Sequence, residues 1–208
     1  NLSGKGAMFP AVCTGSHSGA FDTLNFGQMS FAHTPPTGYK AWNTSNLPTP
    51  TIKKPTEHFN TVLYTGDASA KTISGLNFAP DYLWIKNRTS NYHHANVDSV
   101  RGATKLLSTS QTIADLTTTE QVKTFTSDGF TLGDNSDGNN YVNINTHNYA
   151  AWCWKAGGSG SANNSGDINA TVSANPTAGF SIITYTGTGD AGTIAHGLGV
   201  VPKWIIIK

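Results

Sequence analysis

Charge is scarce in this chain. Lysine, arginine, aspartate and glutamate make up 12% of its 208 residues, about half the usual share of roughly 25%. The balance is +1, so no strong field of one sign is available to steer an oppositely charged partner. Arginine is limited to Arg88 and Arg101, too few forks for a phosphate-binding surface, and nucleic acid is not an expected partner. Glutamate is limited to Glu57 and Glu120, which leaves any paired-carboxylate chemistry to aspartates. No apolar run approaches the ~20 residues that span a bilayer, and membrane insertion is not expected. Asn1-Leu2-Ser3-Gly4-Lys5-Gly6 lacks the charged-then-apolar layout of a secretory leader. Cysteine is limited to Cys13 and Cys153, which permits one disulfide but no disulfide framework. Cys153 lies between Trp152 and Trp154, the setting of a buried free thiol.

What the chain does have is a statement made twice. Phe59-Asn60-Thr61-Val62-Leu63-Tyr64-Thr65-Gly66 returns as Phe180-Ser181-Ile182-Ile183-Thr184-Tyr185-Thr186-Gly187. Ile73-Ser74-Gly75-Leu76 and Pro80-Asp81-Tyr82-Leu83-Trp84-Ile85-Lys86 return as Ile194-Ala195-His196-Gly197-Leu198 and Pro202-Lys203-Trp204-Ile205-Ile206-Ile207-Lys208. The second copy begins 121 positions after the first. That period is the size of a domain, not of a solenoid turn. The second copy stops in mid-motif at Lys208, which suggests a piece of a longer array. An array argues for binding or building before catalysis.

Strand signals dominate. Tyr82 to Lys86 and Lys203 to Lys208 are short aromatic and β-branched runs opened by Pro80 and Pro202. Tyr141 to Thr146 alternates, placing Val142 and Ile144 on one face of a strand. Ala150, Trp152 and Trp154 share a face in the same way. Phe125 and the run Phe130-Thr131-Leu132 flank Ser127-Asp128-Gly129, the pattern of a tight hairpin. Thr112 to Val122 is too rich in threonine for a good helix and is expected as a loop. The five tryptophans keep company with Ala, Ile, Leu and Cys and are expected in the core. These signals predict an all-β chain of tandem antiparallel β-sandwich domains. The expected division is an incomplete domain at 1–47, a proline-spaced linker at 48–55, a complete sandwich at 56–157, a Gly/Ser-rich connector at 158–178 and the start of a second copy at 179–208.

Candidate chemistry is sparse. Asp67, Asp128, Asp134, Asp137, Asp167 and Asp190 stand beside Gly, Asn or Ser, where aspartate turns the chain by bonding its own backbone. Asp134-Asn135-Ser136-Asp137-Gly138-Asn139-Asn140 offers oxygen ligands, which makes Asp134 and Asp137 the candidates for calcium, without the spacing or closing glutamate of an EF-hand loop. No other cofactor is implied. No Gly-x-Ser-x-Gly elbow occurs in a strand-to-helix setting. Asp98 and Arg101, three apart, can pair with each other or anchor the turn at Gly102. His93 and His94, as neighbours on an extended chain, point to opposite faces and do not chelate one ion. Asn87 to His94 reads as a loop after a buried strand, where recognition usually sits. Tyr92, His93 and His94 are the candidate ligand-binding residues, because flat rings with a polar edge suit sugars and protein surfaces alike.

Two resemblances add to this. Met8-Phe9-Pro10-Ala11-Val12, Leu24-Asn25-Phe26-Gly27-Gln28, Phe31 and Pro36-Thr37-Gly38-Tyr39-Lys40 resemble the closing strands of a SPRY domain, a concanavalin-like β-sandwich. Tyr64-Thr65-Gly66, Gly75-Leu76, the run Pro80 to Arg88, the run Asp98 to Lys105, the run Ser127 to Gly133 and Ala151-Trp152-Cys153-Trp154-Lys155-Ala156-Gly157 resemble a repeat of tailed-phage structural proteins. The resemblance implies a non-enzymatic virion protein of tail-fibre or host-recognition type, displayed on the particle surface, with β-sandwiches of jelly-roll or concanavalin-like kind. Its implied partners are other virion subunits and further copies of itself, a trimer by analogy, together with a host surface glycan or protein. A capsid-decorating or fibrous scaffold protein with no receptor is the alternative. A glycan-degrading tailspike ranks third.

Overall fold

Short β-branched and aromatic runs separated by turn residues cannot bury themselves locally, so they pair over long distances. A computed structural model describes residue 25, residues 29–41 and residues 44–208. The chain divides into two compact units, residues 1–50 and residues 51–208. Cys13, Trp42 and most of the SPRY-like stretch, Met8 to Gln28, lie outside the described residues. In the first unit, the amide of Tyr39 donates to the Pro36 carbonyl (3.0 Å), with Gly38 at φ 90° in the turn.

Among the described residues there is no α-helix, only the one-turn 3₁₀ segments Thr44–Asn46 and Pro55–Glu57. No helix is long and apolar enough to cross a membrane among those residues. The second unit is built from β1 (Phe59–Thr65), β2 (Lys71–Ser74), β3 (Tyr82–Asn87), β4 (Ala95–Asp98), β5 (Gly102–Leu107), β6 (Leu116–Thr117), β7 (Val122–Thr126), β8 (Gly129–Leu132), β9 (Asn148–Trp154), β10 (Ser161–Asn163), β11 (Ala170–Asn175) and β12 (Phe180–Tyr185). They form a six-stranded sheet in the order β1-β9-β3-β4-β5-β6 and two three-stranded sheets, β2-β8-β7 and β10-β11-β12. The ladders are antiparallel. An isolated parallel bridge joins Ile168 to Ile194.

The core lies where the six-stranded sheet meets β2-β8-β7. Leu83, Ile85, Val97, Leu106, Tyr149, Ala151 and Cys153 enter it from one sheet, and Ile73, Val122, Phe130 and Leu132 from the other. The hairpin expected at Ser127-Asp128 is present, with Phe125 opposite Phe130 and Thr126 opposite Gly129. Its aspartate also reaches across: the Asp128 carboxylate accepts from the amides of Gly75 and Asn77, tying the tip of β7-β8 to the end of β2. Residues 112–122 carry no helix, in keeping with their threonine content.

Four expectations are corrected. The described tryptophans are not in the core: none of the four belongs to the buried cluster, Trp84, Trp152 and Trp154 are half-buried, and Trp204 is 74% exposed. The alternation of Trp152 and Trp154 is real, but the face that enters the core is the other one, carrying Tyr149, Ala151 and Cys153. Tyr141 to Thr146 is not a strand. Val142 and Asn143 are consecutive and both fully buried, because Asn143 hydrogen-bonds inward to the carbonyls of Ser69 (2.8 Å) and Gly133 (2.7 Å). The stretch 158–178, read as connector, carries β10 and β11. Gly157 explains how it packs: a side chain there would meet the Ala174 backbone at 2.7 Å, so glycine serves close approach rather than flexibility. Finally, Lys203 to Lys208 forms no strand.

The repeated Tyr-Thr-Gly signature has a structural reason in its first copy. The Tyr64 hydroxyl donates to the Val142 carbonyl (2.8 Å). Gly66 exchanges backbone hydrogen bonds with Thr146 and His147, and a side chain on it would collide with the Ile144 carbonyl.

The loop from Gly133 to Thr146 hangs on one buried side chain. Gln121 is 0% exposed. Its Oε1 accepts from the amides of Tyr141 (3.1 Å) and Val142 (3.2 Å), and its Nε2 donates to Asn135 and Asp137. Gln121→Ala leaves two buried amides without an acceptor, so we expect a loss of roughly 2–4 kcal/mol in equilibrium denaturation. A loss under about 0.5 kcal/mol, the range of a neutral surface change, would contradict this assignment.

Candidate functional site

The outward face of the six-stranded sheet is aromatic, and strand register explains why. Residues two apart on a strand share a face, and the ladder sets Phe59 opposite Trp154 and Trp154 opposite Tyr82. One step along, Thr61 is opposite Trp152, Trp152 opposite Trp84, and Trp84 opposite Asn96. Two aromatic rows therefore run across β1, β9 and β3.

The first row is a closed cluster. Trp154 lies 4.9 Å from Phe59, 5.4 Å from Tyr82 and 5.8 Å from Phe180, ring centre to ring centre. Phe59 and Phe180 are the opening residues of the two sequence copies, so one indole holds both. The Tyr82 hydroxyl accepts from Asn96 Nδ2 (2.8 Å), and burial raises its phenol to about 12, so it stays neutral.

The second row is the open one. The Trp84 and Trp152 rings meet edge to face at 6.4 Å, both half-buried. Exposed Thr61 and Leu63 flank them on β1. The Trp84 indole Nε1 donates to His94 Nδ1 (2.7 Å). This bond requires His94 Nδ1 to be unprotonated and fixes the indole plane. Burial first, then the positive charges of Lys86 and His93, lower the pKa of His94.

Lys86 is the next outward residue on β3. Its Nζ donates to the carbonyls of Asn87 (2.7 Å), Ser90 (3.3 Å) and Tyr92 (2.9 Å). The buried Asn87 accepts from the amides of Thr89 and Ser90 and donates to the Tyr149 hydroxyl. The loop that carries the candidate ligand residues is therefore held in one shape from both sides.

The three candidates part company there. His94 joins Trp84 on the aromatic face. His93 is exposed and turns to the Ser110 hydroxyl (3.2 Å). Tyr92, 38% exposed, packs against His147 at 5.9 Å. Trp84 and Trp152 were missed as site residues, although the two-residue spacings Tyr82/Trp84 and Trp152/Trp154 were the signal: each is one aromatic face of one strand.

The acidic loop is self-satisfied. Asp137 accepts from Thr118 Oγ1 (2.5 Å), Gln121 Nε2 (2.6 Å), and both the amide and the side chain of Asn139. Burial pushes its carboxyl up, but these hydrogen bonds outweigh it and the net shift is downward. Asp134 accepts from the Ser136 amide (3.0 Å). Among the described residues, no three His, Cys, Asp or Glu side chains converge as a metal site. Asp98 and Arg101 pair at 2.7 Å, with Asp98 also accepting the amides of Val100 and Arg101, so this acid shapes the turn into β5. Cys153 is buried and free, and burial pushes its thiol up to about 12. At that value it is not a nucleophile.

The model of a domain of unknown function, DUF7483, matches residues 54–208, and the chain belongs to that family. No curated protein and no solved structure matches it.

The His94–Trp84 bond sets a pH dependence. His94 is neutral in the fold and takes its proton at lower pH than it would unfolded. Its contribution to stability is therefore complete above the unfolded value near 6.5. It is lost as pH falls from there through the lowered folded value. The Trp84 indole N–H signal in NMR should hold steady above about pH 6.5 and shift below it. A midpoint at or above the ordinary histidine value would contradict the geometry.

Proposed function

We propose that this member of the DUF7483 family is a non-enzymatic recognition module whose outward aromatic face binds a carbohydrate. The observation that carries the proposal is the Trp84–Trp152 pair. Two large rings stand half-open on a rigid sheet, and His94 locks one of them in place. An indole face is flat, apolar and polarisable, and it stacks against the C–H face of a sugar ring. Sheet-borne rings lose little freedom on binding, because their rotamers are already fixed. Exposed Thr61 and Leu63 beside them extend the strip with a hydroxyl and an apolar contact.

The remaining features agree with binding rather than turnover. The buried carboxylates are engaged in structure: Asp98 is consumed by an arginine and two amides, and Asp81 accepts from the Ala156 amide. The buried thiol is held protonated. The paired sheets, which we take as a β-sandwich of jelly-roll type, are a scaffold that carries recognition surfaces well. The likeness of Tyr64-Thr65-Gly66, Pro80 to Arg88 and Trp152-Cys153-Trp154 to tailed-phage repeats supports a place on a virion surface, with a bacterial surface glycan as ligand. Repetition of such a module would then raise avidity by about two to four powers of ten over one weak site. Further virion subunits and sister copies, in a trimer by analogy, are the partners this reading carries.

The test is a binding panel of bacterial surface oligosaccharides, with Trp84→Ala and Trp152→Ala compared against Leu106→Val as a core control. Each tryptophan variant should weaken the best ligand at least tenfold while far-UV circular dichroism is unchanged. Undiminished binding by both variants would overturn the aromatic face as the site. Release of new reducing ends from the oligosaccharides would overturn the non-enzymatic reading.

A further inference from the structure

The outward face of the sheet runs on past the indoles to a polar rim. On β3, Tyr82, Trp84 and Lys86 share that face. The ladder continues one residue beyond the strand, where the Arg88 amide donates to the Asn148 carbonyl (2.7 Å). Alternation therefore makes Arg88 the next residue of the outward row. It stands opposite Asn148 on β9, which stands opposite Thr65 on β1. All three are exposed.

The hydrogen bonds of this rim leave donors open. Thr65 Oγ1 donates to Asn148 Oδ1 (2.9 Å), so the oxygen of that side-chain amide is engaged while its Nδ2 has no partner among the described residues. The Thr89 hydroxyl accepts from the Asn148 backbone amide (2.9 Å). The Arg88 guanidinium meets no hydrogen-bond or ion-pair partner among the described residues. The neighbouring cations differ from it. Lys86 points its ammonium into three loop carbonyls, and Arg101 is bound to Asp98. Asp98, paired in that way, is the one carboxylate on the outward face of β1, β9, β3 and β4. A guanidinium fork and a side-chain amide thus stand together with no carboxylate to neutralise them.

We infer that Arg88 and Asn148 form an oxyanion subsite of the aromatic face, and that the glycan bound there is an acidic oligosaccharide. The inference rests on the carbohydrate reading above and adds charge and length to it. A planar guanidinium matches the paired oxygens of a carboxylate or a phosphate. Asn148 Nδ2 supplies a further donor to the same group. One fork is too little for a nucleic-acid backbone, but a single acidic substituent needs no more. Spacing sets the length. Trp84 and Arg88 are four residues apart on one strand, as are Trp152 and Asn148 on the next, a separation of roughly 13 Å. One sugar ring does not cover both places, so one ring stacks on the indoles while the acidic group of another reaches the rim. A charge placed at one point of an otherwise neutral face gives specificity more than raw affinity.

The test uses the full 208-residue chain and oligosaccharides of equal length in three sets: uronate-bearing, phosphate-bearing and neutral. Each acid is compared with its own neutralised form, the methyl ester of the uronate or the phosphatase product. The tightest ligand should be acidic, and its set identifies the oxyanion. Neutralising it should weaken binding at least tenfold. Arg88→Ala should weaken the acidic form by the same factor and leave the neutralised form unchanged, with the far-UV circular dichroism of the parent. Rising salt should weaken the acidic form alone, whereas Trp84→Ala should weaken both forms. A neutral tightest ligand, or an acidic one indifferent to Arg88→Ala, would overturn the subsite; if Trp84→Ala still weakened that ligand, the carbohydrate reading would stand without it. Equal loss of both forms in Arg88→Ala would make Arg88 a structural residue and overturn the subsite too. Binding by no member of the three sets would overturn both readings.

Discussion

Strand β9 is the element on which the structure depends. It is the partner of β1 on one edge and β3 on the other, so β1 joins the sheet only through it. Its alternation then divides its side chains by task. Tyr149, Ala151 and Cys153 are fully buried against β2-β8-β7, while Trp152 and Trp154 face outward. The inward residues are mostly small, which lets the second sheet approach closely, and Phe130 and Leu132 fill the space from the far side. Tyr149 is the one large ring on that inward face, and indoles in place of Ala151 and Cys153 would hold the sheets apart. The tryptophans are therefore outside because the core has no room for them, and what they do outside is a question of surface chemistry.

Rigidity on that outer face comes from polar side chains rather than from packing. Lys86 gathers three loop carbonyls, Asn87 bonds two amides from beneath, and His94 accepts the Trp84 indole proton. None of these residues needs a high net charge on the molecule, which fits a chain with so few ionic groups. Asp98 and Arg101 show the same economy at the entry to β5, where one ion pair and two amide bonds fix a turn. Gln121 does it with no charge at all.

Much of the all-β character was legible in the residues, because strand runs, turn aspartates and the Ser127-Asp128 hairpin act locally. The face assignment was not. Period-two alternation tells which side chains go together, as with Trp152 and Trp154, but not which side meets the second sheet. That choice belongs to residues distant in sequence, such as Phe130. Asn143 misled for a related reason: a polar residue in an alternating run reads as solvent-facing, yet here its amide is the internal tie for Ser69 and Gly133. The candidate loop was located correctly as a loop, but its three rings diverge because backbone pinning by Lys86 and Asn87 is a tertiary effect. The run Pro202 to Lys208 reads as a strand by composition alone, and composition supplies no partner.

The central claim is that the outer face of β9 and β3 is the surface this molecule presents. A crystal structure of the chain with the tightest-binding oligosaccharide tests it most directly. The account predicts a sugar ring stacked on the Trp84 and Trp152 indoles, with the Trp84–His94 hydrogen bond intact. A ligand seated elsewhere, with those two indoles covered by another protein subunit, would contradict it.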